Sequence, residues 1–213
     1  MTADLRTQIV AACAELDRTG LNRGTSGNVS VRDGDTLLIT PSAVPSAQLA
    51  PEMIARMPLG GEYGAWEGPR KPSSEWRFHL DLMRARPDFG AIVHTHAPFA
   101  TILAIARKPI PAIHYMTAAF GGPDIRCSGY ACYGTAELST HVLAAIEGRN
   151  GCLMANHGMI VGGPTLSRAL WLAQELEAVA HQYVHLLQIG GAHILSEAEL
   201  AETARGFAGY GVA

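Results

Sequence analysis

The sequence predicts an α/β layered domain with a mostly antiparallel central sheet flanked by helices. Three observations carry this. Segments with apolar residues at helical spacing alternate with short β-like runs. Several consecutive β-like runs are joined by tight turns. No internal repeat, low-complexity tract or linker divides the chain. Residues 1–213 are therefore expected to form a single domain, long enough to bury a substantial core.

The opening residues, MTADLRTQIVAACAELDRTG, repeat apolar positions with a helical period, and Asp4 and Arg6 interrupt the apolar stretch a signal peptide would need. A first amphipathic helix is expected there. Next come a glycine-rich loop at Gly24 to Gly27, alternation through Val29 and Val31, a tight turn at Asp33 to Asp35 and an apolar run from Leu37 to Ile39. That is the pattern of a β-hairpin. In PSSEWRFHLDLMRARPD, Ser73 or Ser74 is expected to cap a helix with Trp76, Phe78, Leu80 and Met83 as its apolar positions, ending before Pro87.

Ala91 to Thr95 reads as a strand and Pro98 to about Arg107 as a helix. A proline-punctuated strand is expected around Ile110 to Tyr115, and a short hairpin within residues 118–134. A helix from about Ala136 to Glu147 precedes the hairpin-like CLMANHGMIVGG. The longest helix should run from Thr165 to Ile189, and SEAEL opens a last helix near Ser196 with a capping-box pattern.

The formal charge of −3 contains no block of like charge, so there is no electrostatic footprint for nucleic acid or an acidic membrane surface. Apolar windows such as Phe99 to Ala106 fall well short of the roughly 20 residues that span a bilayer. A soluble, cytoplasmic protein is expected, in which any anionic ligand is held by a local site. Cys13, Cys127, Cys132 and Cys152 form no C-x-x-C pair and are expected to be buried free thiols.

Within AIVHTHAPFA, side chains at i and i+2 of a strand share a face, so His94 and His96 can address one point. His157 in ANHGMIVGG ends another β-like run and is a third candidate. Three neutral imidazoles would bind Zn²⁺ and leave a position open, as in a catalytic site. The competing reading is that the core satisfies these histidines by hydrogen bonds. Glu75 in SSEW adds a carboxylate suited to be a fourth ligand or a proton-transfer base. GTSGN, TPSA and Ser73-Ser74 are small-hydroxyl clusters whose donors could converge on a phosphate, although such residues also make ordinary turns. His181 and His185 share a helix face and are read as packed or solvated; His79, His114, His141 and His193 are read as structural.

In order, GTSGNVSVR, LLITPSAVP, SSEWRFH, VHTHAPFAT, IPAIHYM and NHGMIV resemble the class II aldolase/adducin family over nearly the whole chain, closest to its L-fuculose-1-phosphate aldolase branch. The resemblance implies an α/β fold with a largely antiparallel sheet. It also implies a C4 homotetramer with one Zn²⁺, or another divalent cation, per subunit at an interface. His94, His96 and His157 would be the ligands. Glu75 would be a fourth ligand without substrate and the proton-transfer group during turnover. Thr25, Gly27, Asn28, Ser42, Ser73 and Ser74 would lie around the substrate phosphate and neighbouring oxygens. Tyr115 would reach the adjacent subunit's site and handle the proton on the aldehyde oxygen, and Tyr210 matches a tail tyrosine that contacts substrate.

The activity so implied is reversible cleavage of a ketose 1-phosphate to dihydroxyacetone phosphate and an aldehyde. L-Fuculose 1-phosphate, 5-deoxyribulose 1-phosphate and 5-methylthioribulose 1-phosphate share the required head group. No Schiff-base lysine is required, and only Lys71 and Lys108 occur. The alternatives are a methylthioribulose-1-phosphate dehydratase, a pentulose-phosphate 4-epimerase, which usually has aspartate where Glu75 stands, and a non-catalytic adducin-like assembly module. One departure stands out: Ala43 replaces the glycine usual after TP[ST], so a loop that needs φ > 0 there would have to differ.

Overall fold

The computed structural model describes residues 2–207. Helix α1 (Thr2–Arg18) leads into the hairpin of β1 (Asn28–Asp33) and β2 (Thr36–Ile39), and β3 (Ala55–Pro58) pairs along the outer side of β2. Helix α2 (Trp76–Ala85), strand β4 (Ala91–Thr95) and helix α3 (Pro98–Ile105) follow. Next come the two-residue strand β5 (Ile110–Pro111), a 3-10 turn at Tyr115–Phe120 and the partner strand β6 (Asp124–Ile125). Helix α4 (Ala136–Ile146), the hairpin β7 (Gly151–Met154) and β8 (Gly158–Gly163), helix α5 (Leu166–Gln188) and helix α6 (Glu197–Gly206) complete the described residues.

Six strands form the main sheet in the order β3-β2-β1-β4-β8-β7, and every pairing is antiparallel. Strand β4 is central and buried along its whole length. Its alternation sorts side chains between two cores. Ala91 and Val93 pack with Leu16 of α1, Leu103 of α3 and Leu176 of α5, whereas Ile92 packs with Phe78 of α2 and Val142 of α4. Strand β8 is sorted the same way, with Met159 and Val161 on one side and Ile160 on the other. The sheet is thus covered on both faces, and His94, in register with Ile92, emerges on the α2 side with its ring edge-on to Phe78 at 5.4 Å.

Four expectations need correction. The region 118–134 forms no hairpin, because its backbone groups are used elsewhere: Ser128 N–H donates to Leu153 O and Leu153 N–H to Arg126 O, a short parallel contact along β7. The strand expected to reach Tyr115 stops at Pro111, which lacks an N–H for the ladder and whose carbonyl accepts the Ile113 N–H at 2.7 Å. Helix α2 starts at Trp76 with Glu75 as its N-cap, not Ser73 or Ser74, because Ser73 N–H is bonded to Thr40 O beside the end of β2. Burial holds for Cys13 and Cys152, whereas Cys127 is half-buried and Cys132 is exposed on a loop.

Strand β3 carries little signal in the sequence, because ARMP offers only two buried positions, Ala55 and Met57. The last helix has the full reciprocal cap, Ser196 with Glu199. No described helix is long and apolar enough to cross a membrane.

Candidate functional site

Two backbone features bring the three histidines together. Strand β4 ends at Thr95, so His94 lies inside the sheet and His96 just beyond its edge, on the same side. His157 sits in the β7–β8 turn, where Asn156 takes the left-handed conformation (φ 54) and donates its N–H to Ala104 O of α3. The candidate donor atoms of His94, His96 and His157 all lie within 4.8 Å of one another. Their ring centroids stand 4.8 to 5.0 Å apart with planes 72 to 80° from one another.

Hydrogen bonding settles what His94 presents. Its Nδ1–H donates to Met159 O at 2.8 Å, so Nε2 keeps a lone pair, and that buried atom has no hydrogen-bond partner. Glu75 faces the same point: Oε2 lies 3.3 Å from His94 Nε2 and Oε1 lies 3.1 Å from His157 Nε2. Oε1 is also buried without a hydrogen-bond partner. Two orphaned buried atoms among three imidazoles and a carboxylate fit a divalent cation, which would satisfy both at once.

The electrostatics agree with this. Burial pushes the His96 imidazole down to about 4, reinforced by His94 and His157, so its nitrogen is free to donate at neutral pH. Burial alone would raise the Glu75 carboxyl, but positive charge at the point it faces, carried by the His94 and His157 rings or by a cation they hold, outweighs burial and holds the group well below the usual range. A carboxylate kept ionised here can bind a cation or accept a proton.

Glu75 is held from the other side by a buried relay. Asn28 Nδ2 donates to Glu75 Oε2 at 3.0 Å and to Ser73 Oγ at 3.1 Å, and Ser73 Oγ also accepts the Glu75 N–H at 3.2 Å. Behind Asn28, the fully buried His79 meets Asn28 Oδ1 through Nε2 at 2.5 Å and Ser30 Oγ through Nδ1 at 2.7 Å.

The centre opens into a cleft of about 360 Å³. Thr25, Gly27, Asn28, Ser42, Ser73 and Ser74 all line it, so three separated hydroxyl-rich segments of the chain meet at one place. Gly27 is required there, since it has φ 77 and a Cβ would fall 2.4 Å from Asn22 Oδ1. Ala43 also lines the cleft and has φ 57. The loop therefore keeps the left-handed turn despite the missing glycine, instead of differing as the sequence suggested.

Tyr115 is not on this cleft. It lies on the 3-10 turn, 48% exposed, with its ring stacked on Phe207. Tyr210 lies outside the described residues. Sequence reasoning missed Tyr130, Cys132, Tyr133 and Asn156, which also line the cleft. His79, read from the sequence as structural, stands four residues from Glu75 and is buried behind Asn28, off the cleft. His181 packs against Phe99 at 3.9 Å, and Glu177 accepts the N–H groups of Phe99 and Ala100 at the start of α3, which leaves that group of residues structural.

Residues 7–184 match the family model of the class II aldolase and adducin N-terminal domain. The 5-methylthioribulose-1-phosphate/5-deoxyribulose-1-phosphate aldolase of Rhodospirillum rubrum is 54% identical over 207 residues, 97% of this chain and 92% of that protein. The L-fuculose phosphate aldolase of Escherichia coli strain K12 is 44% identical over 209 residues, 98% of this chain and 96% of that protein. A solved L-fuculose 1-phosphate aldolase has a TM-score of 0.91 at 37% identity, covering 96% of each chain.

Proposed function

The chain belongs to the class II aldolase and adducin family, and from that premise we propose that it is a zinc-dependent aldolase cleaving a ketose 1-phosphate reversibly to dihydroxyacetone phosphate and an aldehyde. The observation that carries the reading is the convergence of His94, His96, His157 and Glu75 on one point beside a hydroxyl-lined cleft. We place 5-methylthioribulose and 5-deoxyribulose 1-phosphates ahead of L-fuculose 1-phosphate, a choice supported by the 54% identity to the Rhodospirillum rubrum enzyme named for the first two, against 44% to the fuculose enzyme.

Zinc is the metal proposed, because three neutral imidazoles with an exchangeable carboxylate match its catalytic donor sets. When bound, it supplies electrophilic stabilisation of the negative charge that carbon–carbon cleavage leaves on the ketose fragment. The residues divide the remaining work. Thr25, Gly27, Ser42, Ser73 and Ser74 hold the phosphate with hydroxyl and backbone donors, and Asn28 orients Glu75 beside them. In the condensation direction the ionised Glu75 takes a proton from carbon of dihydroxyacetone phosphate, and in cleavage it returns that proton.

Tyr115, exposed and away from its own cleft, is assigned to the aldehyde-oxygen proton of a neighbouring protomer in a homotetramer, with Tyr210 as a further substrate contact. The single domain of residues 1–213 is proposed to work in the cytoplasm, with no nucleic-acid or membrane partner.

The test is release of dihydroxyacetone phosphate from the three ketose 1-phosphates, followed by coupled oxidation of NADH. Release from the 5-deoxy and 5-methylthio compounds, abolished by a chelator, is expected. Zinc-replete protein that releases none from any of the three would overturn the reading in favour of dehydration or epimerisation.

A further inference from the structure

His79 is a buried polar side chain near the centre to which the aldolase reading gives no task. It is fully buried and does not line the cleft, yet both ring nitrogens are hydrogen-bonded. The bonds can be assigned by following acceptors outward from Glu75. An ionised carboxylate only accepts, so the Asn28 atom 3.0 Å from Oε2 is the amide nitrogen. Asn28 Oδ1 must then face the other way, where it meets His79 Nε2. That nitrogen carries the hydrogen. The second ring nitrogen, Nδ1, accepts from the Ser30 hydroxyl, which lies two residues from Asn28 on the same face of β1. A neutral imidazole with its hydrogen on Nε2 completes every bond in the chain.

We propose that His79 is a positioning residue that holds the Asn28 amide with its nitrogen toward the centre, so that the Glu75 carboxylate always meets a donor. Without it the amide is free to turn over. Its oxygen would then stand about where the nitrogen now lies, 3.0 Å from Oε2, and two facing acceptors would push the carboxylate from its place. The kinetic consequence rests on the aldolase reading; the bond assignment does not. The competing account is that His79 only fills volume, stacked at 4.9 Å on Phe78. In that case any side chain of similar size would serve.

Two substitutions separate these accounts. His79→Met keeps volume without a donor, and His79→Gln restores an amide N–H near the position of Nε2. In zinc-loaded protein, His79→Met should lower kcat for dihydroxyacetone phosphate release about 10- to 100-fold, with zinc content unchanged and KM moving less than kcat. Exchange of the dihydroxyacetone phosphate carbon proton with deuterium oxide should fall in parallel, and His79→Gln should recover most of both. In an Asn28→Ala background, His79→Met should add nothing further. Equal losses in the Met and Gln proteins that track their melting temperatures, or full additivity with Asn28→Ala, would overturn the proposal.

Nitrogen-15 spectra of histidine-labelled, zinc-loaded wild type read the assignment without turnover. The Nε2–H tautomer is expected for His79, and the Nδ1–H tautomer would overturn the proposal. Wild type that showed the Nε2–H tautomer but released no dihydroxyacetone phosphate would sink the aldolase reading and leave the placement of Asn28 standing.

Discussion

Gly158 carries no functional group, yet its replacement by alanine should damage the metal centre more than most changes in the cleft. It follows His157 and opens β8, and a Cβ there would stand 2.4 Å from Thr95 O and 2.9 Å from Cδ2 of His96. The carbonyl belongs to the backbone between His94 and His96, so it cannot swing aside as a flexible side chain would. Opening that contact from 2.4 Å to even a tight 3.0 Å requires about 0.6 Å of movement between β4 and β8. Zinc–nitrogen distances tolerate only about 0.2 Å.

Overpacking of this kind costs about 1–3 kcal/mol, and each 1.4 kcal/mol is about tenfold in affinity. Gly158→Ala should therefore weaken zinc binding about 10- to 100-fold while the protein remains folded. A competition titration against a chromophoric chelator measures the affinity, and circular dichroism monitors the fold. Wild-type zinc affinity together with full activity would refute the claim that these two strand ends set the ligand geometry.

Four further outcomes are expected. Ala43→Gly relieves a left-handed alanine at about 1–2 kcal/mol, offset by about 0.4–1 kcal/mol of extra unfolded-chain freedom, so urea denaturation should show a net gain of about 0.5–1 kcal/mol; a net loss would contradict the strained loop. Glu75→Gln should lower kcat by about 10²- to 10⁴-fold with zinc retained, since the amide can still meet the cation but cannot accept the proton; a smaller effect, seen by dihydroxyacetone phosphate release, would remove Glu75 from proton transfer.

Burial holds the His79 imidazole down at about 3 from its ordinary 6.5, so the unfolded chain takes up a proton that the native state refuses. The stability from this group is complete above about pH 6.5 and is lost as pH falls toward 3. In metal-free protein His79→Gln should flatten the pH dependence of unfolding in that window by about 1.4 kcal/mol per pH unit, and an unchanged slope would contradict the burial argument. Among the thiols, the exposed Cys132 on the cleft rim should alkylate first, and Cys13, pushed up to about 12 by burial, should resist; mass-spectrometric mapping that found Cys13 modified ahead of Cys132 would reverse that order.

Much of the site was legible because its geometry follows from local periodicity. The i, i+2 relation of His94 and His96 needs only that Ala91 to Thr95 be a strand, and the hairpin that presents His157 is marked by glycines on one side of its turn. The hydroxyl segments around Thr25, Ser42 and Ser73 looked like ordinary turns one by one, and only the sheet order that sets β1 between β2 and β4 brings them together.

What stayed hidden depends on long-range bonds. The segment carrying Tyr130 and Tyr133 contains turn residues that read as a hairpin, and its docking along β7 is fixed by Ser128 and Leu153, 25 residues apart. Helix α2 starts later than its residue types suggest because Ser73, a good cap by type, is tied through its N–H to Thr40 O at the end of β2. Glu75 thus holds the N-cap position, and its side chain makes no cap bond but faces the histidines.

The central claim is that one cation, held by His94, His96 and His157 beside Glu75, drives ketose 1-phosphate cleavage. It is tested most directly by stripping the protein with a chelator and restoring zinc in measured steps while following dihydroxyacetone phosphate release from 5-deoxyribulose 1-phosphate. Activity should be absent at the start and rise in proportion to bound zinc to a plateau at about one ion per chain. Release by the stripped protein, or none after one zinc per chain has bound, would contradict it.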